Sequence, residues 1–305
     1  MKIRVVGAGA IGGWVAAKLV AAGETVRAVG RNGPLESLTL VERGRPSEVG
    51  FSRDDEVADL LILATKATAL SAASKAAAPW IRRHTTILPM LNGVPWWFIN
   101  GEPLASVDPD GAIGSALPID QVIGCVVHAA CSRDSLGQVV VKHADRLIIG
   151  NPDGEASEQL ANLNALFARA GLNPDPTSNI RRAIWYKLWG NATINPLSAL
   201  TRATCDRILA NAECRQWMLE GMMELAAIGA AIGCPIEESG EDRMAVTAKL
   251  GAFKTSMLQD IEARRPLELE ALLGAPREIA RERGIATPAL DRLYATTKLL
   301  GESLS

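Results

Sequence analysis

Hydrophobic and polar positions follow two different rhythms along this chain. A short apolar β-prone run, Ile3 to Val6, leads into Gly7-Ala8-Gly9-Ala10-Ile11-Gly12 and then into an apolar helical pattern through Trp14, Val15, Leu19 and Val20. That order predicts a strand, a tight glycine turn and a helix, with Gly23 marking the helix end and Thr25 to Val29 a second strand. Leu60 to Ala64 is continuously apolar, as expected of a parallel strand covered on both faces. Thr86 to Met90 predicts another strand. The β-prone pieces between Val122 and Gly150 predict an extension of the same sheet, and Ala156 to Ala170 a helix ended by Gly171.

From Ser178 onward the pattern becomes long and helical, with Thr177, Ser178 and Asn179 as capping residues, and no further strand–glycine–helix unit appears. The expected division is therefore residues 1–176 and residues 177–305. In the second part, Lys187, Asn191 and Asn195 recur every fourth position and form one polar stripe, flanked by Trp185, Leu188, Trp189 and Ile194. Polar groups on a half-buried helix face need partners, which a polar substrate or a hydrogen-bonded seam between domains would supply. Met244 to Arg264 reads as one further helix carrying Ser256. Pro266 restarts the chain, with Glu268 in the first turns of a helix that runs through Leu272 and Leu273.

Composition narrows the classes. The chain has 305 residues, 48% hydrophobic and 22% charged, which suits a buried core in two domains. Its net charge of −2, with no basic run, argues against nucleic acid as a partner. The first residues lack an export-signal pattern, and no stretch approaches the length of a membrane span, so a cytoplasmic protein is expected. Five cysteines form no CxxC pair and three histidines stand apart, which points to neither a disulfide framework nor a metal site.

The opening unit carries the clearest chemistry. Gly7 permits the turn, Gly9 admits a pyrophosphate to the backbone, Gly12 lets helix and strand approach, and the helix begins with N–H groups facing the phosphates. After the second strand the chain reads Gly30-Arg31-Asn32, with no acidic residue to accept from a ribose hydroxyl. Arg31 suits a 2′-phosphate, so NADP(H) is expected over NAD(H). Lys66 and Asn92 follow apolar strands and are expected at the carboxyl edge of the sheet, where such folds place ligands.

These residues resemble the ketopantoate reductase family: GAGAIG, Lys66, Asn92-Gly93-Val94, the Lys187-x3-Asn191-x3-Asn195 stripe, Ser256-Met257-Leu258-Gln259-Asp260 and Glu268 occur in that family's order over nearly the whole chain. The resemblance implies a Rossmann-type α/β N-terminal domain, an all-helical C-terminal domain, and a cleft holding NADPH and a 2-keto acid. It further implies that Lys187 is the general acid with Glu268 beside it as a catalytic residue. By the same match, Asn92, Asn191, Asn195 and Ser256 hold substrate, and Gly7, Gly9, Ala10, Ile11, Gly12, Arg31, Lys66 and Asn92 serve the cofactor. Reduction of ketopantoate is the leading reading. Reduction of another 2-keto acid, an opine-like condensation, or a non-catalytic NADP(H)-binding regulator are the alternatives. The apolar helices of the second half serve equally a domain core or a homodimer interface, so a homodimer is left open.

Overall fold

The computed structural model describes residues 1–100, 102–249 and 251–304. Two compact units are present, one formed by 1–91 with 112–181 and the other by 92–111 with 182–305.

In the first unit, strands β1 (Lys2–Val6), β2 (Thr25–Gly30), β3 (Gly33–Pro34), β6 (Leu60–Leu63) and β7 (Thr86–Pro89) make a five-stranded sheet in the order β3-β2-β1-β6-β7. β1 pairs in parallel with β2 on one side and β6 on the other, and β6 pairs in parallel with β7. The chain thus reverses direction across the sheet at β1, and the carboxyl end of β1 is the switch point where open α/β sheets take their ligands. Every residue of β6 is buried, which accounts for its unbroken apolar run.

A second sheet was not anticipated in the sequence. β4 (Ser37–Glu42) and β5 (Arg45–Gly50) form a hairpin, and β4 pairs in parallel with β9 (Val139–Gly150). β9 pairs in turn with β8 (Gly124–Arg133) and with the short β10 (Pro174–Pro176). The segment 122–150 therefore does not extend the first sheet as expected; an isolated bridge, Ile87 to Val122, joins its start to β7. Helix α1 (Ala10–Ala21) packs against both sheets, and a Cβ on Gly13 would stand 3.0 Å from Val139 Cγ2 and 3.1 Å from Leu38 Cδ2. Burial from two sides explains why α1 is apolar around its circumference. Helices α2 (Leu70–Ala77), α3 (Ala112–Ala116) and α4 (Glu158–Arg169) complete this unit.

The second unit is helical: α5 (Ile180–Thr201, whose first two residues belong to the first unit), α6 (Cys205–Ala210), α7 (Ala212–Ala231), α8 (Gly240–Ala248), α9 (Ser256–Glu262), α10 (Ala275–Glu282) and α11 (Pro288–Glu302). The expected boundary near 176 needs two corrections. The division falls at 181–182, inside α5, and residues 92–111 pack with the C-terminal helices because Trp96, Trp97, Phe98 and Ile99 are buried there, Phe98 stacking on Trp185 with ring centroids 5.8 Å apart. The single helix expected over Met244 to Arg264 is instead α8 and α9 with a break between them. Leu250, within that stretch, lies outside the described residues. The break is specified locally: Thr255 caps α9 by accepting a hydrogen bond from the Leu258 N–H at 3.2 Å.

Candidate functional site

The glycine turn sits at the switch point of the first sheet. Gly7 has φ +91, and a Cβ there would lie 2.6 Å from the Ala64 carbonyl carbon and the Thr65 nitrogen at the end of β6. A Cβ on Gly12 would come within 2.9 Å of Ala64 Cβ, so the turn is held close against the neighbouring strand. At Gly9, by contrast, a Cβ would meet only Gly7 O at 3.8 Å. The turn is thus tight beneath and open above. α1 begins at Ala10 with no side-chain cap and no acidic residue in its first turn, which leaves the N–H groups of Ala10, Ile11 and Gly12 at the positive end of a helix.

Arg31 follows β2 and is exposed, and no carboxylate replaces it at that strand end. Lys66 follows β6 and is half-buried. An open glycine turn, an uncapped helix start and an exposed guanidinium together are a donor set that fits the phosphates of NADP(H). An open depression of about 450 Å³ lined by Lys2, Asp55, Glu56, Asp59, Arg82 and His84 lies at the opposite, amino end of β1 and β6, away from this turn.

In the second unit, helix α5 is locked in rotation by its tryptophans. Trp185 Nε1 donates to Leu225 O at 3.1 Å and Trp189 Nε1 to Met222 O at 2.8 Å, both on α7, and Thr193 Cγ2 stands 3.0 Å from where a Cβ on Gly221 would be. Positions 185, 189 and 193 therefore define the face of α5 against α7. Lys187, Asn191 and Asn195 each come two residues later, a turn of about 200°, and so line the opposite face. On that face Lys187 Nζ donates to Asn92 Oδ1 at 3.0 Å. Lys187 and Asn191 are half-buried, and Asn195 is 6% exposed.

The turn that carries Asn92 is built into the same unit. Gly93 has φ +83, and a Cβ on it would lie 2.6 Å from the carbonyl carbon of Ala271. Val94 N–H donates to Ala271 O at 2.8 Å. Ala271 lies three residues after Glu268, in a π-helical turn, Glu270–Gly274, that leads into α10. Glu268 stands one residue before the helix rather than inside its first turn, and its side chain is only 8% exposed. The chain thus ties Lys187 to the Asn92 turn by a side-chain hydrogen bond, and that turn to the Glu268 segment by a backbone one. Ser256 opens α9 and is exposed, whereas Met257, Leu258 and Asp260 face inward.

The sequence pattern groups Asn92 with the first half and gives no reason for Gly93. The dipeptide Asn92-Gly93 is a turn signal, but only the approach of Ala271 shows why glycine is required. Among the described residues, no group of three His, Cys, Asp or Glu side chains is arranged to hold a metal ion. Burial pushes the Cys131 thiol up to about 12 and the Cys205 thiol up to about 11, so both remain protonated at neutral pH. No helix among the described residues is long and apolar enough to cross a membrane.

Comparison with known proteins gives the family. Residues 3–154 match the family model for ketopantoate reductase PanE/ApbA, and residues 179–301 the model for its C-terminal part. The 2-dehydropantoate 2-reductase of Mesorhizobium japonicum is 38% identical, with 98% of each chain covered. A crystal structure of a candidate ketopantoate reductase from Ralstonia solanacearum MolK2 superposes with a TM-score of 0.94 at 44% identity, covering 99% of this chain and 98% of the other. The 2-dehydropantoate 2-reductase of Methylococcus capsulatus superposes with a TM-score of 0.83 at 28% identity, covering 100% of this chain and 98% of that one. A Rossmann-type sheet with its glycine turn, a helical second unit with a lysine–asparagine stripe, and these matches over both parts lead to one conclusion: the chain belongs to the ketopantoate reductase family, NADP(H)-dependent oxidoreductases acting on a small keto acid.

Proposed function

We propose that Lys187 is the general acid in the reaction this family membership assigns to the chain, the reduction of ketopantoate at its C2 ketone to pantoate. The observation that carries the assignment is the Lys187 Nζ to Asn92 Oδ1 hydrogen bond at 3.0 Å on the polar face of α5. NADPH, when bound, supplies the hydride that reduces the ketone. Lys187 then meets the charge that gathers on the ketone oxygen, stabilises it by hydrogen bonding, and passes a proton to it as the alcohol forms. An ordinary lysine is protonated at neutral pH, as an acid must be. Asn92 accepts one of the ammonium hydrogens and so directs the other two.

Asn191 and Asn195 lie on the lysine's face of α5 and are assigned to substrate. Ser256 is assigned to the substrate carboxylate and Glu268 to a substrate hydroxyl and to orienting Lys187. Gly7, Gly9, Ala10, Ile11 and Gly12 hold the cofactor diphosphate through backbone N–H groups, Arg31 the 2′-phosphate, and Lys66 and Asn92 neighbouring parts of the cofactor. We place the reaction in the cytoplasm, a compartment that suits five free cysteines. A homodimer is the assembly to test by light scattering.

The deciding experiment is NADPH oxidation by the purified protein against ketopantoate, other branched and linear 2-keto acids, and keto acid with amine. Ketopantoate should give the highest kcat/KM, and K187A should lose turnover by about a hundredfold or more while still binding NADPH. A K187A variant as active as its parent removes the acid assignment; a better 2-keto acid replaces the substrate.

A further inference from the structure

The tip of the β8–β9 hairpin carries a side chain with no part in the chemistry so far. Arg133 ends β8. Its Nη2 donates to Ala8 O at 2.7 Å, across 125 residues of chain, and its Nη1 donates to Gly137 O at 2.6 Å. Ala8 is the residue between Gly7 and Gly9 in the glycine turn. One guanidinium therefore joins the hairpin tip to the turn.

The clamp is braced from both sides. At the tip, Asp134 Oδ1 accepts from the N–H groups of Leu136 at 3.0 Å and Gln138 at 2.8 Å, while Gly137 N–H donates to Asp134 O at 3.1 Å. Along β8, two register shifts, at His128/Ala129 and at Ala130/Cys131, disturb the ladder with β9 shortly before Arg133; such irregularities bend a strand and re-aim the side chains that follow. On the turn side, Val139, the register partner of Arg133, packs beside Gly13 of α1. The hairpin is thus seated on the same helix whose N-terminus faces the ligand.

Ala8 O carries partial negative charge next to the place where N–H groups must attract an anion. A guanidinium bound to that oxygen offsets the charge and restricts rotation of the Ala8–Gly9 peptide. Arginine suits the task because its planar fork reaches two carbonyls at once, whereas an ammonium has no such fork.

We propose that Arg133 is a positioning residue of the cofactor site: it fixes the glycine turn through Ala8 O and adds positive charge to the field that binds the dinucleotide diphosphate. The proposal rests on the reading that Gly7 to Gly12 hold that diphosphate. Arg133 is exposed, so the charge effect is screened by salt.

The test is a titration of NADPH into the parent, R133M, R133Q and R133K, followed by tryptophan fluorescence at low and high salt, with ligand-free melting curves. R133M should bind NADPH about tenfold or more weakly, the loss of a charge-assisted hydrogen bond, with a ligand-free melting temperature within a few degrees of the parent. R133K should recover part of the affinity. R133Q, which keeps a donor without charge, should bind with a shallower salt dependence than the parent, and it stands in for R133M if the latter does not fold. The clamp is overturned if R133M binds within about twofold of the parent, or if R133K is as weak as R133M and R133Q keeps the parental salt dependence. A parent that fails to bind NADPH overturns the cofactor reading and the clamp with it; a parent that binds beside an unaffected R133M overturns the clamp alone.

Discussion

Replacing Gly93 with alanine separates the rigidity of the Lys187 site from its chemistry, because Gly93 itself offers no functional group. At φ +83 an L-residue costs about 1–2 kcal/mol relative to its ordinary conformations. The added Cβ would lie 2.6 Å from the carbonyl carbon and 2.8 Å from the Cβ of Ala271, so one of the two segments must move. If that movement breaks the Val94 N–H to Ala271 O hydrogen bond, a further ~0.5–1.5 kcal/mol is lost. The sum, about 1.5–3.5 kcal/mol, is within what a stable domain tolerates, so G93A should fold with a melting temperature several degrees lower. Its effect on rate should be larger. Asn92 precedes the altered residue and holds Lys187 Nζ, and a shift of about 1 Å in such a contact costs up to roughly a hundredfold in turnover. Steady-state kinetics with ketopantoate, NADPH binding and melting curves should show kcat falling at least tenfold, with NADPH affinity falling less, since the glycine turn of the first unit is untouched. A G93A protein with parental kcat and parental melting temperature would refute the claim that this turn is braced against Ala271 and positions the lysine.

Three further outcomes follow from other parts of the chain. R31A should lose affinity for NADPH by about tenfold or more and leave NADH nearly unchanged, as measured by the ratio of kcat/KM for the two cofactors; equal losses for both would remove the 2′-phosphate assignment. Asp54 is held below the usual carboxylate range by the Glu56 N–H, opposed by burial, and by the guanidinium of Arg4, which is fully buried in β1 at 3.1 Å. A depressed carboxyl contributes stability that is complete above its unfolded value near ~3.9 and is lost as pH falls through the lower folded value. D54N should therefore destabilise at neutral pH by about 0.5–1 kcal/mol, a small value because solvent screens the carboxylate and Asn keeps an acceptor, and the gap in melting temperature to the parent should close below about pH 4. A gap that is constant with pH would contradict this. G13V should destabilise markedly, because its side chain would enter the space of Val139 Cγ2 and Leu38 Cδ2 between α1 and the second sheet, and overpacking of this kind costs typically ~1–3 kcal/mol in denaturant unfolding; an unchanged midpoint would show that the second sheet yields.

Much of this protein was legible in local pattern. The strand–glycine–helix opening, the buried run of β6 and the stripe at every fourth residue of α5 rest on an unbroken apolar run, on the 3.6-residue period and on the special backbone of glycine, which neighbours along the chain specify. The second sheet was not legible: β4 joins β9 across about a hundred residues, and strand pairing over such a separation leaves no local period. For the same reason residues 92–111 read from sequence as part of the first domain, whereas the stacking of Phe98 on Trp185 joins them to the second. The sequence alone could list Asn92, Lys187 and Glu268 as polar groups in suggestive places. Which way Lys187 faces was decided by Trp185 and Trp189 packing on α7, and what it touches by the Asn92 turn docking on Ala271. A side chain's residue type is written in the chain, but its direction is set by what packs against the rest of its helix.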